Sequence, residues 1–361
     1  MRARAALAGL IGFLVAAAGP ARAQDWQADW QHTIAAAKAE GALTISGPSG
    51  VAWREQLLLF EKDYPDIKLS ITAGASRDFW PRIIKEREAG QKLWDFRIGG
   101  PDRVAYFIKR SGGMQPVRPL LVLPEVTDPA VWQGGLDGIF LDAEHKYFLG
   151  FVAYEENVAY YNSKIIAERD MPDMKALVDP RWQGKISIAD PRAGSAMTGA
   201  AVLMRIYGED YLRRLLGGQK LVVSKEARQQ MDWMESGRYP IAIGIPSIAF
   251  VEIAARGAPV DMYRKLPGPR VWTEGVGGVQ MLEGAPHPNA AKLYINWLLT
   301  RAVQTRLMKA VKLNSRRKDV PLGKPEDAID YAQIGSYVGG QTEEQQPYQV
   351  KAAEIVKQLL P

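Results

Sequence analysis

Six consecutive residues, 193–198, have a composition that suits an oxyanion-binding site. They read Ala-Gly-Ser-Ala-Met-Thr and open an amphipathic stretch, 196–207, that we predict to be a helix. The first turn of a helix exposes unpaired N–H groups and partial positive charge, so it attracts carboxylates and phosphates. Gly194, Ser195 and Ala196 are therefore candidate ligand contacts. The alternative is an ordinary helix N-cap, a position where serine is common.

Three further serines, Ser49, Ser76 and Ser247, each lie in a loop that follows a predicted strand. Small hydroxyl side chains that converge from different loops suit a small polar ligand. Serine is also frequent in plain turns, which is the alternative for each position. All three are candidate ligand contacts.

Aromatic residues occur close to the same loops. Trp53, Tyr154 and Trp272 could form walls that enclose a flat or partly apolar ligand. The alternative is packing in the core, which fits Trp80 better than it fits Trp272. We take the first three as candidate ligand contacts.

Charged residues near the loops point to two opposite kinds of ligand. Arg77 and Arg192 could each pair with an anion through two hydrogen bonds, or could simply be solvated. Asp102 and Glu274 would suit a cation, and they would oppose an anion if they face the ligand. The sequence leaves this choice open.

The residue inventory excludes several classes of chemistry. The chain has no cysteine, so thiol catalysis, disulfides and thiolate metal sites are excluded. Its three histidines, His32, His145 and His287, are far apart and form no HExxH-like pattern. No GxSxG motif marks a nucleophile elbow. We therefore predict no catalytic residue, no metal ligand, no cofactor and no enzymatic activity.

Length and composition describe an exported globular protein. The chain has 361 residues, 47% hydrophobic and 24% charged, which is enough for two domains. Residues 1–23 combine two arginines, an apolar run and an Ala-Arg-Ala end, which predicts a signal peptide rather than a buried helix or anchor. Without that segment the formal charge of +6 falls to about +3. No basic run resembles a nucleic-acid-binding arm.

The elements that must position the candidate residues repeat early in the chain. Strands are predicted at 42–46, 67–72 and 93–98, each followed by a loop and a helix. This repeat predicts a parallel α/β sheet, whose ligands bind at the carboxyl ends of the strands. Further on, strands are predicted at 148–152 and 157–161, with residues 154–156 as a break between them. One late helix is predicted at 289–307.

Six motifs occur in an order that resembles one protein family. They are EGALTI (40–45), FEKDYPDIKL (60–69), IKEREAG followed by WD (84–95), AYYNSK (159–164), DPRWQGKI (179–186) and HPNAAK (287–292). Together they resemble the solute-binding proteins of bacterial ABC importers, extracellular solute-binding protein family 1, iron(III)-type. The resemblance covers most of the chain.

The resemblance implies the type II periplasmic binding fold, an α/β architecture of two discontinuous lobes joined by hinge strands. Lobe 1 would comprise 24–153 plus 275–320, lobe 2 would comprise 154–274, and the tail 321–361 would pack on lobe 2. A monomer in the periplasm would hold a small polar or anionic organic solute in the inter-lobe cleft and deliver it to an inner-membrane permease. No nucleic acid is implied.

Ferric iron is the alternative ligand that the family raises. Its iron-binding members use adjacent tyrosines after the strand that here ends at Ile243-Gly244, where this chain has Ile245-Pro246-Ser247. The pair Tyr160-Tyr161 lies within a predicted strand, whose neighbouring side chains point to opposite faces. A sensor subunit that signals to a membrane receptor and a secreted enzyme remain open as further alternatives.

Overall fold

The computed structural model describes residues 21–170, 173–192, 194–245, 250, 253–254, 256–262 and 270–360. Most of the predicted signal peptide lies outside these residues. Within them the chain is an α/β protein with two five-stranded sheets and one three-stranded sheet, which confirms the predicted fold class. Among the described helices, none has both the length and the apolar character needed to cross a membrane.

The strands are β1 (Ala42–Gly47), β2 (Lys68–Ala73), β3 (Phe96–Ile98), β4 (Phe148–Gly150), β5 (Tyr154–Glu156), β6 (Ala159–Asn162), β7 (Ile186–Ala189), β8 (Val222–Ser224), β9 (Ile241–Ile243), β10 (Val260–Met262), β11 (Arg270–Thr273), β12 (Gly278–Met281) and β13 (Tyr337–Gly339). The helices that precede β10 are α1 (Ala21–Glu40), α2 (Val51–Leu58), α3 (Phe60–Asp63), α4 (Ser76–Glu88), α5 (Arg103–Arg110), α6 (Pro124–Thr127), α7 (Gly135–Gly138), α8 (Gly194–Tyr207), α9 (Glu209–Arg213) and α10 (Ala227–Glu235). Later helices span Pro288–Leu299, Arg301–Val311 and Gln346–Leu359. Single 3₁₀ turns include Met174–Val178, Pro325–Asp327, Tyr331–Ser336 and Glu343–Gln345.

The first sheet has the strand order β2-β1-β3-β12-β4. Strand β1 pairs in parallel with β2 and β3, whereas β12 runs antiparallel to β3 and β4. A helix follows each of the three parallel strands, as the sequence predicts. Because parallel strands end at the same edge, the loops 47–53, 74–80 and 99–102 meet there.

The second sheet repeats this arrangement with the order β10-β6-β9-β7-β8. Strand β7 pairs in parallel with β8 and β9, and β6 runs antiparallel to β9 and β10. Each sheet has its own large apolar core, one around Leu43, Phe96 and Tyr294 and the other around Ile188 and Ile243. Two sheets with separate cores make two lobes.

The third sheet, β13-β11-β5, joins the lobes, and the sequence did not predict it. Residues 154–156 were predicted as a break between strands, yet they form β5, which pairs antiparallel with β11. Residues 270–273 form β11. Strands of three or four residues carry too little periodicity to be recognised, and here their pairing across the lobe junction determines the structure.

Three of the quoted family motifs, at 40–45, 84–95 and 287–292, are joined by hydrogen bonds in the first lobe. The Asp95 carboxylate accepts hydrogen bonds from the Thr44 N–H (2.8 Å) and the His287 N–H (2.6 Å). Glu40 accepts from the N–H groups of Asn289 (3.1 Å) and Ala290 (2.7 Å). The motif carboxylates therefore anchor β1 and cap the helix that begins at Pro288.

The helix predicted at 289–307 is two helices that meet at Thr300. Thr300 is extended (φ −62°, ψ 151°), and its hydroxyl accepts a hydrogen bond from the Val303 N–H at 3.4 Å. A threonine in this role caps a new helix instead of continuing the old one. The apolar spacing continues through the break, which is why periodicity alone did not locate it.

Candidate ligand-binding site

One buried arginine stands at the carboxyl-terminal edge of the first sheet. Arg97 in β3 is 5% exposed. Its Nη1 donates to Ser46 Oγ at 2.7 Å and its Nη2 to the Gly74 carbonyl oxygen at 3.3 Å. Burial lowers the pKa of Arg97 to about 10, against the opposing influence of Asp102. The guanidinium therefore stays charged at neutral pH and ties together the ends of β1, β2 and β3.

Two of the predicted contacts in this lobe have structural roles. Trp53 packs in the core beneath the first sheet and is 7% exposed, which supports the core-packing alternative. Asp102 accepts hydrogen bonds from the Val104 and Ala105 N–H groups, both at 2.9 Å, and thus caps α5. Neither residue offers its polar or aromatic surface freely to a ligand.

The remaining predicted contacts in the first lobe lie in the loops at the sheet edge. Ser49 is exposed in the loop after β1, and Ser76 is half-buried in the first turn of α4. The side chain of Arg77 lies outside the described structure. Their contact with a ligand stays a prediction.

The lobe junction brings three predicted residues together. Thr273 pairs with Tyr154 and Trp272 with Glu155 in the ladder between β5 and β11, and Glu274 follows β11 directly. A Cβ added to Gly275 would lie 2.3 Å from the Tyr154 hydroxyl oxygen, so this glycine lets the two segments approach. Tyr154, Trp272 and Glu274 therefore lie in one region, as a shared ligand site requires.

Glu274 is fully buried, and among the described residues no other residue offers a hydrogen-bond partner to either of its carboxylate oxygens. Burial raises the pKa of Glu274 to about 8, with a further upward influence from Glu156 and a downward one from Arg316. Glu156, at the end of β5, is half-buried, and burial raises its pKa to about 7. Two carboxyl groups at the junction are thus close to their titration point at physiological pH.

Arg316 provides the opposite charge in the same region. It is 5% exposed, its guanidinium lies 5.2 Å from the Trp272 ring, and one nitrogen donates to the Gly138 carbonyl oxygen. Its Nε and Nη1 have no hydrogen-bond partner among the described residues. Burial lowers the pKa of Arg316, while Tyr331 and Glu274 raise it.

The edge of the second sheet is formed by the start of α8. Gly244, at φ +77°, leaves β9 so close to this helix that an added Cβ would lie 2.8 Å from the Ala196 Cβ. The helix begins at Gly194, as predicted within two residues, and Ala196 is buried against β9. Ser247 and the side chain of Ser195 lie outside the described residues.

Arg192, the other predicted anion partner, is engaged locally. Its Nε and Nη2 donate to the two carboxylate oxygens of Asp190 at 2.7 and 2.8 Å. This bidentate pair lies on the surface just before α8, so binding an anion there requires competition with Asp190.

A short segment after β13 connects both sheet edges to the junction. A Cβ on Gly340 would lie 3.2 Å from a Thr198 methyl carbon in α8 and 4.0 Å from Glu156 Oε2. The Gln341 amide nitrogen donates to the Pro101 carbonyl oxygen at 3.3 Å. Residues 340–341 therefore lie against α8, against Glu156 and against the loop that follows β3.

The adjacent tyrosines considered for iron face opposite ways, as predicted. Tyr160 stacks on Phe250 at 4.6 Å between ring centres, in a small cluster on one side of the second sheet. Tyr161 belongs to the main core on the other side. The two rings therefore do not converge on one ion. Within the described residues, no group of three or more histidine, aspartate and glutamate side chains is placed to hold a metal.

Three residues of this site were not among the predicted contacts: Arg97, Glu156 and Arg316. The sequence offered a signal for Arg97, because a charged residue inside a strand that is predicted to be buried needs a polar partner. Glu156 was noticed only as part of the presumed break. Nothing near Arg316 in the sequence indicates that it is buried, since its neighbours Arg317 and Lys318 suggest a solvated turn.

Comparison with known proteins agrees with this architecture. The family model for the bacterial extracellular solute-binding protein matches residues 44–305. A protein of Haemophilus influenzae, described as uncharacterized, is 28% identical over 245 residues, which cover 66% of this chain and 67% of the relative.

Solved structures share the fold at low sequence identity. Iron-bound HitA from Pseudomonas aeruginosa has a TM-score of 0.66 at 16% identity and covers 89% of this chain and 99% of its own. AfuA from Actinobacillus pleuropneumoniae, with fructose-6-phosphate bound, has a TM-score of 0.60 at 21% identity, covering 88% and 99%. The substrate-binding protein of an Agrobacterium tumefaciens ABC transporter has a TM-score of 0.64 at 16% identity, covering 88% and 93%. The family model covers more than half of the chain and the solved structures share its two-lobed fold, so the chain belongs to the bacterial extracellular solute-binding protein family.

Proposed function

We propose that this protein captures a small polar or anionic organic solute between its two lobes and presents it to an inner-membrane permease after hinge closure. The observation that carries the proposal is the pair of sheets with the same strand pattern, each with its own core, together with the short strands β5, β11 and β13 that join them. Short connecting strands absorb the rotation of two rigid lobes.

The lobe boundaries follow from the strands that each large sheet contains. We assign residues 24–153 plus 275–320 to lobe 1 and 154–274 to lobe 2, because the five strands of each sheet fall within these ranges. The tail, 321–361, lies on lobe 2 through the helix Gln346–Leu359, which contributes Ile355 and Val356 to the second core. It also contacts lobe 1, because Glu343 accepts a hydrogen bond from Lys109 at 3.0 Å.

Positive charge at the edges of both large sheets supports an anionic group on the solute. Arg97 brings a permanent charge to the edge of lobe 1, and in lobe 2 the first turn of α8 lies beside the end of β9. The predicted serines and the half-buried Trp272 would add polar and aromatic contacts. This set of groups suits a compact organic solute better than a bare metal ion.

Ferric iron remains the second candidate, because HitA is described as iron-bound and the chain shares its fold. Iron would need phenolate and carboxylate oxygens that converge. Tyr160 and Tyr161 do not converge, so any iron site would depend on Glu156, Glu274 and Tyr154 instead. A sensor role would use the same closure with a different membrane partner.

The test is a thermal-shift screen of the protein without residues 1–23, against carboxylates, phosphorylated sugars, amino compounds, aromatic acids and ferric citrate. A ligand at 100 times its Kd should stabilise the protein by about 2.7 kcal/mol. One organic hit, one bound molecule per monomer and no product formed over time would support the proposal. A shift with ferric citrate alone would replace the organic solute by iron.

A further inference from the structure

We infer that the transported solute carries a protonated amine, which Glu156 and Glu274 at the lobe junction receive. The inference rests on the proposed function and deepens it, since it names one chemical group of the solute in the same inter-lobe site. The other end of the solute faces Arg97 and α8.

Two glycines bring backbone close around these carboxyl groups. A Cβ on Gly150 of β4 would lie 3.4 Å from the Glu274 Cβ, and a Cβ on Gly340 would lie 4.0 Å from Glu156 Oε2. Glu156 is half-buried whereas Glu274 is fully buried. Glu156 is therefore the more accessible of the two carboxyl groups.

The charges at the junction do not balance when both carboxyl groups are ionised. The ionisable groups that act on Glu274 from the surrounding elements are Glu156, Arg316, Tyr154 and Tyr106. The two phenols stay neutral because burial raises the pKa of each well above its usual value. Two ionised carboxylates and one guanidinium leave one negative charge, which a single ammonium group neutralises.

The other acidic groups nearby are already paired. Glu155, on the opposite face of β5, accepts a bidentate ion pair from Arg270, with Nε to Oε1 at 2.8 Å. Asp327, which acts on Tyr154, forms an ion pair with Lys324. The unbalanced charge thus belongs to Glu156 and Glu274.

The hydrogen-bonding groups at the junction are also incomplete. Among the described residues, neither oxygen of Glu274 has a partner from another residue, although the side chain is fully buried. Glu274 and Arg316 influence each other's pKa without forming an ion pair within 4.0 Å. An ammonium group donates three hydrogen bonds and suits the carboxylates, whereas an anionic or apolar group would leave them unpaired.

When the amine is absent, protons bound to Glu156 and Glu274 neutralise the carboxylates. Burial raises the pKa of Glu156 to about 7 and that of Glu274 to about 8, so one or both are protonated near neutral pH. A protonated amine must displace those protons to pair with the carboxylates. The affinity for the amine should therefore fall as the pH decreases from 8 to 6, by up to about tenfold per pH unit for each proton displaced.

The experiment compares solutes that differ only by an amine in place of a hydroxyl group. The pairs are glucosamine 6-phosphate with glucose 6-phosphate, 2-aminoethyl phosphate with 2-hydroxyethyl phosphate, and 4-aminobutanoate with 4-hydroxybutanoate. Binding to the wild type, Glu156→Gln, Glu274→Gln and the exposed control Glu326→Gln is measured by thermal shift and calorimetry at pH 6, 7 and 8.

We expect at least one amine to bind at least about tenfold more tightly than its hydroxyl twin, because only the ammonium group forms a hydrogen bond between charged groups with the carboxylates. That preference should shrink at pH 6 and be lost in Glu156→Gln or Glu274→Gln, but not in Glu326→Gln. Equal binding of the twins, or a preference that survives both glutamine variants, overturns the inference. If the only compounds that bind lack an amine, ferric citrate included, the inference is wrong but the protein is still a solute receptor. The absence of any shift counts against both the inference and the proposed function.

Discussion

Replacing Glu274 by glutamine should stabilise the ligand-free protein at alkaline pH. The substitution keeps the shape of the side chain and removes its ability to ionise. Burial raises the pKa of Glu274 from 4.5 to about 8 in the folded protein. A raised folded-state pKa favours folding fully below about pH 4.5, and this contribution is lost as the pH rises through about 8.

The gap between 4.5 and about 8 corresponds to about 5 kcal/mol at 1.36 kcal/mol per pH unit. Glu156, whose pKa burial raises to about 7, produces a second loss that the variant retains. The stability of the wild type should therefore fall below that of Glu274→Gln progressively from pH 5 to pH 9. At about 2 °C in Tm for each kcal/mol in a chain of this size, the difference reaches about 10 °C.

The measurement is urea and thermal unfolding of the wild type, Glu274→Gln and Glu326→Gln at half-unit steps between pH 5 and pH 9. A fixed offset between variants reports packing or hydrogen bonding, whereas only a pH-dependent difference reports titration of Glu274. A difference that stays constant over this range would refute the reasoning, because it would mean that Glu274 is ionised in the folded protein at pH 5. Glu326→Gln should follow the wild type throughout.

The remaining predictions concern one charged residue of the site and two residues that stabilise the lobes. Arg97→Met should weaken binding of an anionic solute at least about tenfold, because a buried charged hydrogen-bond donor is removed, as calorimetry will measure. Glu40→Gln should reduce the free energy of unfolding by about 1 kcal/mol, measured in urea, since the helix that begins at Pro288 loses a charged cap. Gly244→Ala should cost about 1–3 kcal/mol in the same assay, because its φ of +77° and the contact with Ala196 both oppose a Cβ.

Matched controls separate the contributions in these variants. Gly257→Ala shares a positive φ of +80° but has nothing within 4 Å, so it measures the backbone cost without the contact. If Gly244→Ala costs no more than Gly257→Ala, the close packing of β9 on α8 is not what stabilises the lobe. Unchanged solute affinity in Arg97→Met would show that Arg97 does not belong to the site. Unchanged stability in Glu40→Gln would show that the Glu40 cap contributes nothing to the free energy of unfolding.

The sequence by itself determined the family, the α/β class and the repeating strand-loop-helix order of the first lobe. These follow from local information: apolar periodicity, turn residues and motifs whose order in the chain is fixed. Asp95 and Glu40 were recognisable as motif residues, and their importance lies in capping and anchoring, which act over short distances once the lobe has folded. The loops at the strand ends were predictable because parallel strands end at the same edge.

Only the tertiary structure decided which residues form the lobe junction. Strands β5 and β11 are three and four residues long, too short for a periodic pattern, and they become strands because each pairs with a distant segment. The same pairing buries Glu274 and brings Glu156 and Arg316 near it, although 118 positions separate Glu156 from Glu274 in the sequence. Burial and the proximity of charges set the pKa values at the junction, and both depend on contacts between segments that the linear sequence keeps apart.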